Sequence, residues 1–370
     1  VTTHANPYPA ALAPFRELGA SFARRELIER REIYDRYPFE PFWNEVIERA
    51  AEAGFFAVNL SGKGRESGSG PAALAVLCGE IARVDASLAG IIFTAAAAIE
   101  IINGAAGDGD CSLSFSLIAE AHPPLAAFQS FTHPGEATLP RALREGRKAK
   151  LCGEARNLVM GGIARHALLA ADDGEGPFSY FLVDLEAGGL SRSDTVHAIG
   201  FRACPMIDLS LKNAAAIQVG TPGGGAALYR RMERILSPAA SAILLGIMEG
   251  SFEEARAYAM ERRQGGRLIV EWPEIAMMLS EMAMEIELAK ESLAVCLSRM
   301  LEGREYDARA LALELGRKAC RLTTDGVQIL GGNGYMSDYG QEKRMRDTRM
   351  ARQLLGMTAL RRLEYFTGTS

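Results

Sequence analysis

The residues best placed to do chemistry lie between Thr324 and Arg352, in the run TDGVQILGGNGYMSDYGQEKRMRDTRMAR. Gln328 sets an amide three positions ahead of Gly331-Gly332. Paired glycines after a helix allow positive φ and let a ligand approach bare backbone. Beyond Gly334, Lys343, Arg344, Arg346, Arg349 and Arg352 form a dense cationic run. On charge alone that run reads as the solvated basic face of a helix hairpin. The six cysteines (Cys78, Cys111, Cys152, Cys204, Cys296, Cys320) include no C-x-x-C pair. They therefore predict reduced thiols rather than a disulfide framework or a zinc site. A net charge of −5 gives no reason to expect nucleic acid or an anionic membrane as partner.

The elements that must hold these residues are mostly helical. Leu311, Leu313, Leu315, Val327 and Leu330 keep helical spacing up to Gly331-Gly332, with Asp307 as the expected N-cap. Upstream, one helix is expected over Ala226–Leu236. A second is expected from Ser237 as N-cap and Pro238 at N1 to Arg263, stopped by Gly265-Gly266. Pro273 opens a further helix reaching Leu301, in which Met277, Met278, Met282 and Met284 read as adaptable core. Long helices of this kind form a bundle and often supply an oligomer interface. At the other end, Phe15, Leu18, Phe22, Leu27 and Ile33 predict an amphipathic helix over Pro14–Arg36, followed by one over Pro41–Ala53. After a Gly/Ser loop (Leu60–Gly70), Pro71 starts a long apolar helix, and Ser87–Ala106 is apolar enough to require burial. No apolar run reaches the ~18 residues of a spanning helix, and the N-terminus lacks signal-peptide regions. A soluble, cytoplasmic protein is expected.

Between the helical halves the texture changes near Asp108. Ser112–Glu120, Lys150–Met160, Ala167–Ala171, Phe178–Leu185 and Met206–Lys212 favour strands and are separated by Gly, Pro and Asp turns. They read as antiparallel hairpins, not βαβ units. The expected class is α+β, with an N-terminal helical domain (1–109), a middle antiparallel β domain (110–222) and a C-terminal four-helix-bundle domain (223–370).

The order Gln328-x-x-Gly331-Gly332-Asn333-Gly334-Tyr335, then Glu342-Lys343-x-Met345-Arg346-Asp347, resembles the C-terminal signature of the acyl-CoA dehydrogenase flavoproteins. ARAYAMERRQGG is similar to the family's A-x-x-Y-A-x-x-R-x-x-F-G, and the helix–β–helix order extends the resemblance over nearly the whole chain. The resemblance implies FAD, with Gln328, Gly331 and Gly332 on the pyrophosphate of a cofactor held mainly by a neighbouring subunit. It also implies Arg262 as a charge-assisted clamp on that pyrophosphate. The implied reaction removes a proton α to an acyl-CoA thioester and passes a β-hydride to the flavin. Electron-transfer flavoprotein is the implied acceptor.

Departures from the family pattern fall in the chain's own half of such a site. Most members carry the base nine residues beyond the Arg of the Arg-Asp pair, and here that position is Leu355. A minority place it near the start of the C-terminal domain, here Leu236. Glu233, one turn earlier, is the nearest carboxylate, and within RRMERI it reads as a solvated charge. The family's T-E-P-x-A-G-S-D loop is matched to Ile118–Pro124, with Ala119 replacing the flavin-contacting hydroxyl and His122 expected to be exposed. Its W-I-T/S-N-G segment is matched to Asn157–Gly161, where Asn157 and Val159 replace the tryptophan and the hydroxyl. No catalytic residue is assigned. The favoured expectation is a base-deficient subunit lending FAD-binding residues to an acyl-CoA dehydrogenase paralogue. The alternatives are a homo-oligomeric enzyme with an unrecognised base, or a flavin-free scaffold of the same fold.

Overall fold

The computed structural model describes residues 6–36, 43–58, 69–105 and 126–367. Most of the Leu60–Gly70 loop, the segment Ser112–Glu120 and the expected domain boundary near Asp108 lie outside the described residues.

The first helical layer comprises α1 (Ala13–Glu26), α2 (Arg31–Tyr34), α3 (Glu48–Glu52), α4 (Ser69–Ala82) and α5 (Ala86–Ala105). The single helix expected over Pro14–Arg36 is interrupted: Leu27–Arg30 is turn, and Leu27 is tucked into the core at 1% exposure. The sheet contains β1 (Ala126–Ala127), β2 (Arg141–Glu145), β3 (Lys148–Val159), β4 (His166–Ala171), β5 (Ser179–Asp184), β6 (Leu190–Arg192) and β7 (Met206–Val219). Its order is β1-β4-β5-β7-β3-β2, with β6 also on β7. Every pairing is antiparallel except the two-residue β1–β4 contact. β2 and β6 were not foreseen, because their residues alternate without a strong apolar face. The β3–β7 ladder shifts register twice: once with an extra residue, Asn213, in β7, and once bulging β3 between Ala155 and Leu158, where Asn157 sits at φ 55.

The C-terminal bundle is α6 (Gly225–Glu261), α7 (Pro273–Leu301), α8 (Arg309–Leu330), α9 (Gln341–Ala351) and α10 (Ala359–Thr367). A β8 (Arg263–Gln264) and β9 (Arg267–Leu268) hairpin, turning on Gly265-Gly266, separates α6 from α7. The break expected at Ser237-Pro238 does not occur, and α6 runs through it. A proline costs an interior helix one hydrogen bond. Here Ser237 Oγ donates to the Glu233 carbonyl at 2.6 Å and Ser241 Oγ to the Ser237 carbonyl at 2.9 Å. A break would also expose the uninterrupted buried run from Leu236 to Met248. Windows in α5 and α6 are apolar and long enough to cross a membrane, contrary to the sequence expectation, yet 89% and 83% of them is buried inside the fold. They are core helices.

Bare backbone sets the crossing of α4 over α6. A Cβ at Gly246 would lie 2.1 Å from the Gly79 carbonyl oxygen, and one at Gly250 2.2 Å from that of Arg83. Replacing Gly246 with valine should therefore destabilise the protein by ~1–3 kcal/mol or more, since overpacking forces backbone shifts. Urea unfolding measures it, and an unchanged midpoint would show that the helices can part freely.

Three of the five cations of the run are not solvated, while Arg349 is exposed as expected. Lys343, Arg344 and Arg346 are 5%, 8% and 9% exposed. Lys343 Nζ lies 2.7 Å from Asp347 and 3.1 Å from Asp85, and Arg344 lies 2.7 Å from Glu254. Arg346 pairs with Glu342 at 2.6 Å and with Asp35, and Asp347 accepts the Phe201 N–H at 2.8 Å. Carboxylates from the two helical layers and a backbone N–H from the β layer thus converge on α9. The methionine expectation holds for Met282 (2% exposed) and fails for Met277 and Met284 (62% and 59%), which point outward on α7 with Leu288 and Val295.

Candidate functional site

α8 ends where the sequence indicated. The N-cap is Ala308 rather than Asp307, though Asp307 Oδ1 accepts the Arg309 N–H at 2.9 Å just ahead of it, and Gly331 closes the helix at φ 58, ψ −129. A side chain at φ 58 would be strained, yet nothing lies within 4 Å of where a Gly331 Cβ would project. The glycine is thus set by backbone conformation, and its face stays open. Gly334 is different: its Cβ would meet the Val327 carbonyl oxygen at 2.2 Å.

Arg262, Gln328, Gly331 and Gly332 line one cleft of about 640 Å³, together with Asn333 and Trp272. Arg262 is the residue at which α6 leaves helical geometry (φ −72, ψ 126), so its side chain projects where the β8–β9 hairpin begins. Trp272 forms part of the wall, with the Arg267 guanidinium over its ring at 3.6 Å. Asn333 Nδ2 donates to the Tyr258 hydroxyl at 3.1 Å, which steadies the floor. Among the described residues neither the Arg262 guanidinium nor the Gln328 amide has a side-chain partner. Both are exposed. A forked cation, an amide and open glycine backbone suit a diphosphate, so these residues fit the pyrophosphate of a dinucleotide.

The positions assigned to a base are apolar and closed. Leu236 is 0% exposed and Leu355 1%. Leu355 adopts φ 60, ψ 24, donates its N–H to the Ser130 carbonyl at 2.8 Å and accepts the Tyr229 hydroxyl at 2.7 Å. Glu233 is not solvated, contrary to the sequence reading. It is 1% exposed and 2.5 Å from Arg361 of α10. Burial pushes its carboxyl above the ordinary range, against the pull of Arg361.

Sequence reasoning missed His133. A Cβ on Gly356 would lie 2.4 Å from the His133 backbone nitrogen, so the loop carrying Leu355 packs directly on this residue. The imidazole meets the Tyr229 ring edge-to-face at 4.6 Å, and its Nδ1 accepts the Gly135 N–H at 3.1 Å. Burial and then Arg361 push its pKa down to about 4. A signal existed: Thr132-His133-Pro134 repeats the Thr-x-Pro letters of the motif matched to Ile118–Pro124. That earlier match, with Ala119 and His122, lies outside the described residues. The Thr132 loop follows Phe128, which bridges to Val159. Val159 is buried at 0% exposure, and Asn157 is exposed with its N–H held by Asp208 at 2.9 Å. Neither supplies a hydroxyl or an aromatic ring.

Comparison with known proteins gives consistent matches. The description "Acyl-CoA dehydrogenase, N-terminal domain" fits residues 12–107, and "Acyl-CoA dehydrogenase, C-terminal domain" fits residues 231–364. The chain is 27% identical over 230 residues to cyclohexane-1-carbonyl-CoA dehydrogenase of Geobacter metallireducens, covering 60% of each chain. It is 31% identical over 225 residues to 3-sulfinopropanoyl-CoA desulfinase of Cupriavidus necator, covering 57% of each. It thus spans under two thirds of the length of these two relatives. The structure of butyryl-CoA dehydrogenase from Megasphaera elsdenii superposes with a TM-score of 0.83 at 20% identity, over 97% of this chain and 98% of that one. The three-part helix–sheet–helix architecture is shared.

Proposed function

Because the chain belongs to the acyl-CoA dehydrogenase family, we propose that it serves FAD-linked α,β-dehydrogenation of an acyl-CoA thioester as a base-deficient subunit. Its Arg262/Gln328/Gly331/Gly332 cleft is lent to the FAD of a partner subunit. The observation that carries this reading is an asymmetry. The cleft presents an unpaired guanidinium and amide beside open glycine backbone. The two base positions, in contrast, are leucines at 0% and 1% exposure. When bound, FAD supplies the hydride acceptor. The chain's own residues bind and orient: Arg262 neutralises phosphate charge and Gln328 donates through its amide. Assembly through α7 is supported by Met277, Met284, Leu288 and Val295, apolar side chains each more than half exposed. A paralogue carrying the glutamate is the proposed partner, and electron-transfer flavoprotein the proposed acceptor.

A second reading has one observation in its favour. The 31% identical relative is named for desulfination, not dehydrogenation. A chain without an α-proton base would suit a reaction on a 3-sulfinoacyl thioester that needs none. Including 3-sulfinopropanoyl-CoA in an activity panel separates the two.

The proposal is tested at Arg262. Arg262→Ala should weaken FAD retention by roughly 1.5–3 kcal/mol, about 10- to 150-fold, because a buried pyrophosphate loses a charge-assisted partner. FAD content is read by absorbance in the assembled protein, with and without the co-expressed paralogue. Unchanged FAD content in both preparations would sink the cross-subunit role.

A further inference from the structure

One face of the sheet carries a cavity of about 500 Å³ that shares no residue with the Arg262 cleft. That volume falls in the range of small-molecule sites. Strand register explains how the cavity is built. Leu143 of β2 lies beside Lys150 of β3, and Lys150 beside Ala215 of β7. Val183 of β5 lies beside Ala216, which sets Asp184 beside Ala215, and Asp184 lies beside His166 of β4. One rung therefore crosses five strands, and all five of its residues line the cavity. Leu182 and Ile217 are paired two residues along on the same face and supply an apolar floor.

His166 is 3% exposed, and its Nδ1 is buried with no hydrogen-bond partner among the described residues. Buried polar atoms are nearly always paired, so an unpaired imidazole on a cavity wall marks a place for a ligand group. Burial, helped by Arg165 and opposed by Asp184, lowers its pKa and keeps the ring neutral at pH 7. The charges around it are unevenly matched. Arg165 lies 3.8 Å from Asp184, and Glu145 stands directly across from Lys148. Lys150 instead has apolar neighbours on both sides, Leu143 and Ala215. It has no ion-pair or hydrogen-bond partner among the described residues. The rung thus offers an unmatched cation toward one end and a neutral imidazole at the other. Their strands are three spacings apart, about 14 Å from backbone to backbone.

We propose that this cavity binds a medium-chain carboxylic acid that carries a hydroxyl at its far end. The carboxylate pairs with Lys150, the chain lies over Ala215, Ile217 and Leu182, and the hydroxyl bonds His166. A hydroxyl suits a neutral imidazole because it both donates and accepts, so either tautomer is served. A second carboxylate at that end would meet Asp184. The site does not rest on the acyl-CoA reading, and its outcome leaves the Arg262 test untouched.

The test is calorimetry on the assembled protein, with 10-hydroxydecanoate as probe and decanoate and 1,10-decanediol as comparison arms. The hydroxy acid should bind most tightly, and more weakly as salt is raised. Lys150→Gln should weaken the hydroxy acid and decanoate about tenfold and leave the diol unchanged. His166→Leu should weaken the hydroxy acid and the diol ~2- to 10-fold and leave decanoate unchanged. Lys150 is exposed and His166→Leu removes an unpaired polar group, so neither variant should lower the thermal midpoint without ligand. No binding of the hydroxy acid would overturn the proposal. So would equal binding of it by wild type and either variant, or decanoate binding as tightly as the hydroxy acid.

Discussion

Purified alone, loaded with FAD and given an artificial acceptor, this chain should dehydrogenate acyl-CoA thioesters ~10²–10⁴-fold more slowly than relatives that carry the glutamate. That is the usual contribution of a positioned base. Two groups near the leucines invite a contrary expectation, and neither suits the task. Glu233 spends its carboxylate on Arg361 at 2.5 Å. His133 has a pKa near 4 and already uses Nδ1 to accept from Gly135. A base so weak has little driving force for taking a carbon-bound proton. Leu355→Glu should not restore turnover. The new carboxyl would enter a site 1% exposed, where burial favours its neutral form. Asn157 and Val159 would still offer the flavin neither ring nor hydroxyl. Assays of both proteins across acyl chain lengths decide it. Brisk turnover by wild type alone would mean that a base exists, and Glu233→Gln and His133→Ala would then identify it.

Asp347→Ala should be the most damaging single change to stability, at about 3–5 kcal/mol, the usual cost of removing one partner of a buried pair. Asp347 is 2% exposed and holds both Lys343 Nζ and the Phe201 N–H. Its loss leaves Lys343 with Asp85 alone at 3.1 Å, and a β-domain N–H with no acceptor. Asp347→Asn keeps an acceptor for Phe201 and should cost clearly less. Urea titrations of the three proteins measure the difference, and a loss below 1 kcal/mol for Asp347→Ala would contradict the account. The Lys343 contribution has a definite sign with pH. Burial opposes the Lys343 charge, but Asp347 and Asp85 outweigh it and hold its pKa above the ordinary 10.5. A raised folded value means the contribution is fully present at neutral pH and is lost only on the alkaline side, above the ordinary lysine range.

Local punctuation in the sequence was legible. Pro273 opens α7, Gly331 closes α8, and the hairpin texture places β5 antiparallel to β7. The glycine cleft was legible too, since Gln328 and the glycines are neighbours and Arg262 belongs to its own recognisable run. What failed was anything set by partners far away in sequence. The α9 cations looked solvated because Asp35, Asp85 and Glu254 are invisible from position 343. Glu233 looked solvated because Arg361 is 128 positions distant. Pro238 looked like a helix start because local rules do not register the burial of Leu236–Met248. His133 escaped because the Thr-x-Pro letters are matched to Ile118–Pro124 instead, and its contact with Gly356 is made only by folding.

The convergence on α9 also bears on how the chain reaches its fold. Arg346 meets Asp35 across 311 positions, and Asp347 meets Phe201 across 146. Long-range closures of this kind are slow to form. Synthesis proceeds from the N-terminus, so Asp35, Asp85 and Phe201 all leave the ribosome well before Lys343 and Arg346. The sheet can pair its strands in that interval, but its acceptor for Phe201 does not yet exist. Docking of the early segments must therefore await α9, and a nascent chain stalled before Gln341 should remain open to protease at the joints between layers.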